Sequence, residues 1–262
     1  MQLERLSMKK AFKYAALIAG TSLTFAPAAH AGIFDTDPAP GSVYVSGFIG
    51  GSFPSDADFE GAQAPAAGVP GVAGAAANIE ADLDSDVYFG GAIGARLPFK
   101  YWKYFQPRLE LEISHTDNDV SSGAFNGGSQ TFSGSQSVTY YLINNYSDIT
   151  WKENQKIVPY FGGGIGIADY DTDIQYFPNN GVATVPNFAV QNSGSAFTTV
   201  SALGATLKAT ERFDLYVEGR YLKTYGLDAE RTFIDGGASG FNADVDDDPD
   251  GLSLTVGTRI NF

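Results

Sequence analysis

The chain has 262 residues, no cysteine, 31 glycines, 13% aromatic residues and a formal net charge of −14. Without cysteine it cannot be a small disulfide-stapled scaffold, and its acidic balance excludes a nucleic-acid partner. No segment stays apolar for the about 20 residues that a membrane-spanning helix needs.

At the N-terminus, Lys9, Lys10 and Lys13 precede an apolar run from Tyr14 to Phe25, followed by Ala28-Ala29-His30-Ala31. A basic head, a short apolar stretch and an A-x-A site predict a secretory signal peptide over residues 1–31, cut between Ala31 and Gly32. Met8 is an alternative start, and no cysteine stands near the cut to carry a lipid. Removing residues 1–31 takes away four basic residues and Glu4, which leaves 12 basic and 29 acidic residues, a net charge of −17. An exported, Gly-rich and aromatic-rich chain of this kind is either a soluble β protein or a membrane barrel, and the strand pattern arbitrates.

Residues 32–41 read as an N-terminal periplasmic segment, and the first strand covers about 42–53. In the second, Val87, Phe89, Ile93 and Leu97 alternate with Tyr88, Gly90, Gly94 and Arg96. The third sets Leu109, Leu111 and Ile113 against Arg108, Glu110, Glu112 and Ser114. Less regular strands follow at about 137–151, 157–169 and 195–209. The seventh opposes Phe213, Leu215, Val217 and Tyr221 to Asp214, Tyr216, Glu218 and Arg220. The eighth opposes Leu252, Leu254, Val256, Ile260 and Phe262 to Ser253, Thr255, Gly257, Arg259 and Asn261. This period of two, apolar on one face and polar on the other, is that of a lipid-facing strand with a polar lumen side. Eight antiparallel strands over 42–262 can close, and closure removes the edges that lipid cannot satisfy.

Short links near 99–105, 152–156 and 210–212 alternate with long ones at about 54–86, 116–136, 170–194 and 224–250. The long links read as external loops and the short ones as periplasmic turns. Charge sorts the same way. Of the 29 acidic residues, 20 lie in the long links or at their junctions, whereas Lys100, Lys103, Lys152, Lys156 and Arg212 sit in the turns. Aromatics are expected as two girdles: Tyr101, Trp102, Tyr104, Trp151, Phe213 and Phe262 at the periplasmic rim, and Phe53, Tyr140, Phe197 and Tyr221 at the outer rim.

Four motifs resemble a known family. Val158-Pro-Tyr-Phe-Gly-Gly-Gly-Ile-Gly-Ile-Ala168 is similar to the fifth strand of the outer-membrane protein A and opacity-type eight-stranded barrels. The runs Ser137–Asp148 and Asp214–Lys223 resemble their fourth and seventh strands, and Gly257–Phe262 their C-terminal strand. The resemblance implies an all-β, eight-stranded, antiparallel up-and-down barrel in the outer membrane of a Gram-negative-type bacterium. It implies a monomer surrounded by outer-membrane lipids and lipopolysaccharide, with Phe262 as the signal read by the outer-membrane assembly machinery. The chain ends at the eighth strand, so the peptidoglycan-binding domain of larger members is not carried over.

Arg96, Arg108, Glu110, Glu112, Glu218, Arg220 and Arg259 face the expected lumen, where buried charges must pair. They read as an ion-pair plug filling a narrow interior, or alternatively as a gate on a narrow, low-conductance path. The inward Gly162, Gly164 and Gly166 either make room for long side chains or allow close strand curvature. Asp246-x-Asp248-x-Asp250-Gly251 matches the first half of a calcium loop, but Gly257 stands where the bidentate Glu is required and Pro249 intrudes. It is read as a solvated acidic loop, with no metal or other cofactor assigned. His115, placed at the outer end of the third strand, is the only histidine after the signal peptide. With no second histidine and no cysteine, a catalytic constellation is hard to build. The low-complexity stretch Gly61–Ala77 reads as a mobile loop. The expectation is a non-catalytic barrel with a structural or surface-interaction role, adhesin-like or antigen-like, whose loops meet a host or environmental ligand. A porin-like path is the alternative, and an enzyme acting on outer-membrane lipid a distant third.

Overall fold

The computed structural model describes residues 36–64, 73–152, 154–234 and 242–262. The expected signal peptide and its cut at Ala31/Gly32 lie outside these residues.

Eight strands close into one barrel. Strand β1 comprises Ser42–Pro54 and Ala57–Gln63, and β2 comprises Ile79–Leu83 and Asp86–Arg96. Strands β3 (Phe105–Phe125), β4 (Gly128–Ile149), β5 (Ile157–Pro178) and β6 (Phe188–Lys208) are unbroken. Strand β7 comprises Phe213–Tyr225 and Leu227–Phe233, and β8 comprises Ala243–Asp247 and Asp250–Asn261. Each strand pairs antiparallel with its neighbour, and β8 returns to β1 with Val256 opposite Ile49. At the short-turn end, Thr36–Pro38 pairs with Phe99–Tyr101. The final residue still donates its N–H to Val43 O at 2.9 Å, so the ring is hydrogen-bonded to the last residue of the chain.

Most of the described residues in the long links are paired strand, not loop. A tilted strand crosses the bilayer in about 9–11 residues, yet β3 to β6 run for 21 or 22. The barrel therefore stands well beyond the membrane on its hairpin side. In that upper part the two faces exchange character. Along β3, Leu109, Leu111 and Ile113 face outward, and the same face continues as Asp117 and Asp119. Along β5, Ile167 is followed outward by Asp169, Asp171 and Asp173, while Tyr170, Ile174 and Tyr176 point inward. On β5 the alternation continues without interruption and only its polarity reverses, whereas on β1, β2 and β7 the outward parity also changes from odd to even residues between the two tiers. A search for apolar outer stripes ends on β3 and β5 at the first outward aspartates, Asp117 and Asp169.

Two tiers result. In the lower tier, apolar side chains such as Ile93, Leu111, Ile143 and Leu254 form an exposed belt around a polar lumen. In the upper tier, Phe59, Ile79, Phe132, Ile174, Tyr176, Val190, Leu227 and Val245 form an apolar core inside an acidic outer collar. That collar includes Asp58, Glu60, Glu80, Asp228, Glu230 and Asp244. The upper tier is built as a barrel in water, and the lower as a barrel in lipid.

Where the tiers meet, β1, β2, β7 and β8 bend. Pairing lapses between Ser52↔Asp86 and Ala57↔Ala81. From Gly251↔Pro54 to Asp246↔Glu60 the β8–β1 register slips by one residue, and β7–β8 slips likewise at Gly226, whose φ is +68°. A left-handed φ there suits glycine, and Pro54 and Pro249 lack the N–H that a regular ladder would use.

Other sequence expectations shift with this architecture. Tyr140 is buried in the lumen, and its neighbour Tyr141 takes the exposed place, since a step of one residue changes the face. His115 lies mid-strand, ten residues before the end of β3, half-buried on the outer wall. Within the low-complexity stretch, Ala62 bridges Ala76 and Ala77 is fully buried; residues 65–72 lie outside the description. At the turn end Trp102, Tyr104, Trp151, Phe213 and Phe262 are exposed, and at the upper edge of the belt so are Phe53 and Tyr221.

Candidate functional site

The chemistry-bearing residues of the lower tier gather in the lumen. Period-two alternation on β2, β3, β4, β7 and β8 turns them inward, and ring closure brings together residues far apart in sequence. Nearest the turns, Arg96 donates to Asp148 (Nε to Oδ2, 3.2 Å), Asp214 (Nη2 to Oδ2, 2.8 Å) and Asn261 (Nη1 to Oδ1, 2.6 Å). Arg108 Nε lies 3.2 Å from Asp148 Oδ1, and its Nη1 donates to Glu110. Glu110 also accepts from Tyr44 OH at 2.5 Å and faces Arg259 Nε at 3.7 Å. Toward the hairpin end, Arg220 donates to Glu112 (Nη1 to Oε1, 2.5 Å) and to Glu218. Asn144 Nδ2 donates to Glu112 Oε2 at 2.9 Å. Each of the five carboxylates meets a guanidinium, as a dry interior demands.

All seven residues singled out in the sequence lie in the lumen, in two ion-pair groups: Arg96, Arg108, Glu110 and Arg259 with Asp148 and Asp214, and Glu112, Glu218 and Arg220 nearer the hairpins. Two members were missed as ion-pair partners, Asp148 and Asp214. Their signal was available, because both fall on the inward parity of their strands.

A second feature was invisible without register. Tyr44, Phe48, Tyr146, Tyr160 and Tyr216 each stand directly opposite a glycine on the next strand: Gly94, Gly90, Gly162, Gly204 and Gly257. A Cβ at any of these glycines would overlap the facing ring. The rings lie flat over bare backbone and so leave space for the arginines, as aromatic residues do over strand glycines elsewhere. Arg259 Cζ lies 3.9 Å from the Tyr216 ring centroid, and Arg108 Cζ 4.3 Å from that of Tyr146 and 4.7 Å from that of Tyr160. The guanidiniums are thus held by aromatic faces as well as carboxylates. Gly94→Val is expected to displace the Tyr44 ring and cost about 1–3 kcal/mol by overpacking, read as a lower urea midpoint for the refolded barrel. For Gly162, Gly164 and Gly166 a Cβ would meet both backbone oxygens of β4 and the facing Tyr146, Asn144 and Leu142 side chains, so room for a side chain and close strand approach both apply.

Higher up, the apolar core closes the interior. Phe132 stacks on Tyr176 at 4.8 Å and Tyr176 on Phe188 at 5.3 Å. Arg231, buried beneath, lies 4.1 Å from the Phe188 ring and donates to Tyr176 OH.

Asp246, Asp248 and Asp250 do not converge. Asp246 sits in the outer collar, Asp248 Oδ1 accepts from Gly226 N–H at 2.7 Å, and Asp250 accepts from Tyr221 OH at 2.7 Å and from Ser55. Hydrogen bonds from Ser55 and Tyr221 hold the Asp250 carboxyl below its usual range. Among the described residues no group of three or more His, Cys, Asp or Glu could hold a metal ion. His115 Nδ1 shares a hydrogen bond with Thr139 Oγ1 at 3.0 Å, and its ring meets Phe89 edge-on at 5.6 Å.

A closed antiparallel barrel with an apolar belt and a charged, filled lumen is a transmembrane β-barrel of the outer-membrane type. One solved structure supports that class at the level of the fold, and two others are similar more loosely. The outer membrane protein OprG from Pseudomonas aeruginosa superposes with a TM-score of 0.51 at 16% identity, over 86% of this chain and 97% of that one. The outer membrane protease OmpT from Escherichia coli gives 0.48 at 9% identity, over 88% and 99%. Neisserial surface protein A gives 0.36 at 13% identity, over 85% and 99%. At these identities what is shared is the fold. No protein-family model matches the chain, and no curated protein matches it in sequence. The resemblance noted from the motifs thus holds at the level of the small outer-membrane barrel, not of outer-membrane protein A in particular.

Proposed function

We propose that the protein is a non-catalytic surface barrel of the Gram-negative outer membrane, of the outer-membrane protein A and opacity type, whose hairpin end meets a host or environmental surface. The observation that carries this reading is the two-tier wall. The hairpins continue the barrel as paired strand beyond the lipid belt, and the lumen is filled by ion pairs, by tyrosines and then by an apolar core. Such a wall presents a shaped outer surface and offers water no continuous path. The chain enters by its signal peptide, and Phe262 ends the strand read by the assembly machinery. Lipid and lipopolysaccharide surround the belt, and the barrel works as a monomer without a cofactor.

Planar-bilayer recordings test the filled lumen. The wild type, Glu218→Ala and Arg259→Ala are expected to show no unitary conductance, and a steady channel in any of them would turn the reading toward a narrow pore. Surface display is tested on intact cells. Asp171→Cys, the only thiol, is expected to react with a membrane-impermeant maleimide; lack of labelling in a folded barrel would remove the outward orientation.

A further inference from the structure

Between the ion-pair layer and the apolar upper core lies a cavity of about 30 Å³, room for a few water molecules. Its lining carries uncharged hydrogen-bonding groups, among them Ser52, Thr116, Asn118, Gln136, Thr224 and Ser253. Ser253 is 4% exposed and its Oγ has no hydrogen-bond partner among the described residues. A buried hydroxyl in that condition calls for a small polar occupant. One side of the cavity is made by Pro54, Ser55, Pro249, Asp250 and Gly251, at the bend where the β8–β1 ladder slips.

Asp247 sits at that slip. It faces inward, opposite Leu227 in register, and is 8% exposed. The backbone N–H groups of Asp248 and Asp58 favour the charged form of its carboxyl. The charged and titratable groups facing it are Asp58 from β1, Asp248 on its own strand and Tyr170 from β5. None is a cation, and Asp247 Oδ2 has no hydrogen-bond partner among the described residues.

We infer that the cavity is a hydration site whose exchange with bulk water runs through the β8–β1 seam and is controlled by the protonation of Asp247. Protonated, the side chain sits in the seam as a neutral group and the wall is closed. Ionised, it gains by reaching solvent, and reaching solvent parts the seam beside Pro249. Burial, with the charges of Asp58 and Asp248 added, pushes its carboxyl up to about 6 from 3.8, against the two N–H groups that favour charge. The closed wall binds the proton more tightly than an open one. Closure is therefore favoured at low pH, weakens as pH rises from about 4 to 6, and levels off above.

A single-cysteine variant reads this directly, since the chain has no native thiol. Ser253→Cys is made with and without Asp247→Asn, refolded, and checked by its heat-modifiable gel shift. Labelling by a small methanethiosulfonate reagent is then timed at pH 5 and pH 7.5. Dividing the rate with Asp247 by the rate with Asn at each pH cancels the ionisation of the thiol. That quotient is expected to rise about ten-fold from pH 5 to pH 7.5, the change in open population that a closed-state value near 6 and an open-state value of 3.8 require. A quotient that does not change with pH, or a thiol that never reacts, would overturn the inference. Should Ser253→Cys fail to fold, Ser52→Cys on the facing wall serves the same measurement.

Discussion

Replacing Arg220 with alanine is expected to destabilise the barrel by about 3–5 kcal/mol, the loss seen when one partner of a buried ion pair is removed. The cost arises because Glu112 and Glu218 both rely on this guanidinium and both are buried in the lumen. Removing the cation leaves two carboxylates in a narrow interior, with Asn144 Nδ2 as a remaining neutral donor to Glu112. Urea unfolding of the barrel in detergent micelles reads the effect as a lower midpoint. The triple variant Arg220→Met, Glu112→Gln and Glu218→Gln is expected to recover most of the loss, since an apolar or neutral replacement of a buried pair is often close to neutral. An equal loss in the triple variant would show that the layer works through shape alone. Arg220 also lies 4.7 Å from the Phe48 ring centroid, so some packing loss remains in either case.

The second large effect separates the two tiers. Leu111→Arg, on the outer face of β3 where the side chain is 62% exposed, is expected to cost about 2–4 kcal/mol in lipid vesicles. Asp171→Arg, also outward but beyond the belt on β5, is expected to change stability by no more than about 0.5 kcal/mol. Both are exposed in an aqueous sense, and only the solvent differs. Folding yield and urea midpoint in vesicles measure the contrast. Equal costs at the two positions would mean that the belt does not end where the outward aspartates begin.

Much of the barrel was legible because the period of two is local and its inside and outside differ in polarity. Leu252, Leu254 and Val256 against Ser253, Thr255 and Arg259 state a strand and its two solvents at once. The same locality explains the errors. At Asp169, Asp171 and Asp173 the outward face stays outward but turns acidic, and a rule that equates outward with apolar reads strand as loop. Tyr140 and Tyr141 are adjacent aromatics, and which faces lipid depends on a register that the pair itself does not express.

The lumen shows the division most clearly. The sequence alone determined that Arg96, Arg108, Arg220, Arg259, Glu110, Glu112 and Glu218 share the inward parity of their strands, and that such charges must be compensated. Only the closed ring decided the partners. Arg96 reaches Asp148 and Asp214 across strands that are neighbours in neither sequence nor ladder, and the tyrosine rings lie over glycines one strand away. The acidic run near the C-terminus was plain as composition. That Asp246 and Asp248 face water while Asp247 is buried follows from the same parity of β8 that turns Ser253 and Thr255 inward; that Asp247 lies at a seam follows from the one-residue slip between β8 and β1. Parity is written into each strand by covalent geometry. Register, shear and closure are properties of all eight strands together, and they set which inward residues meet.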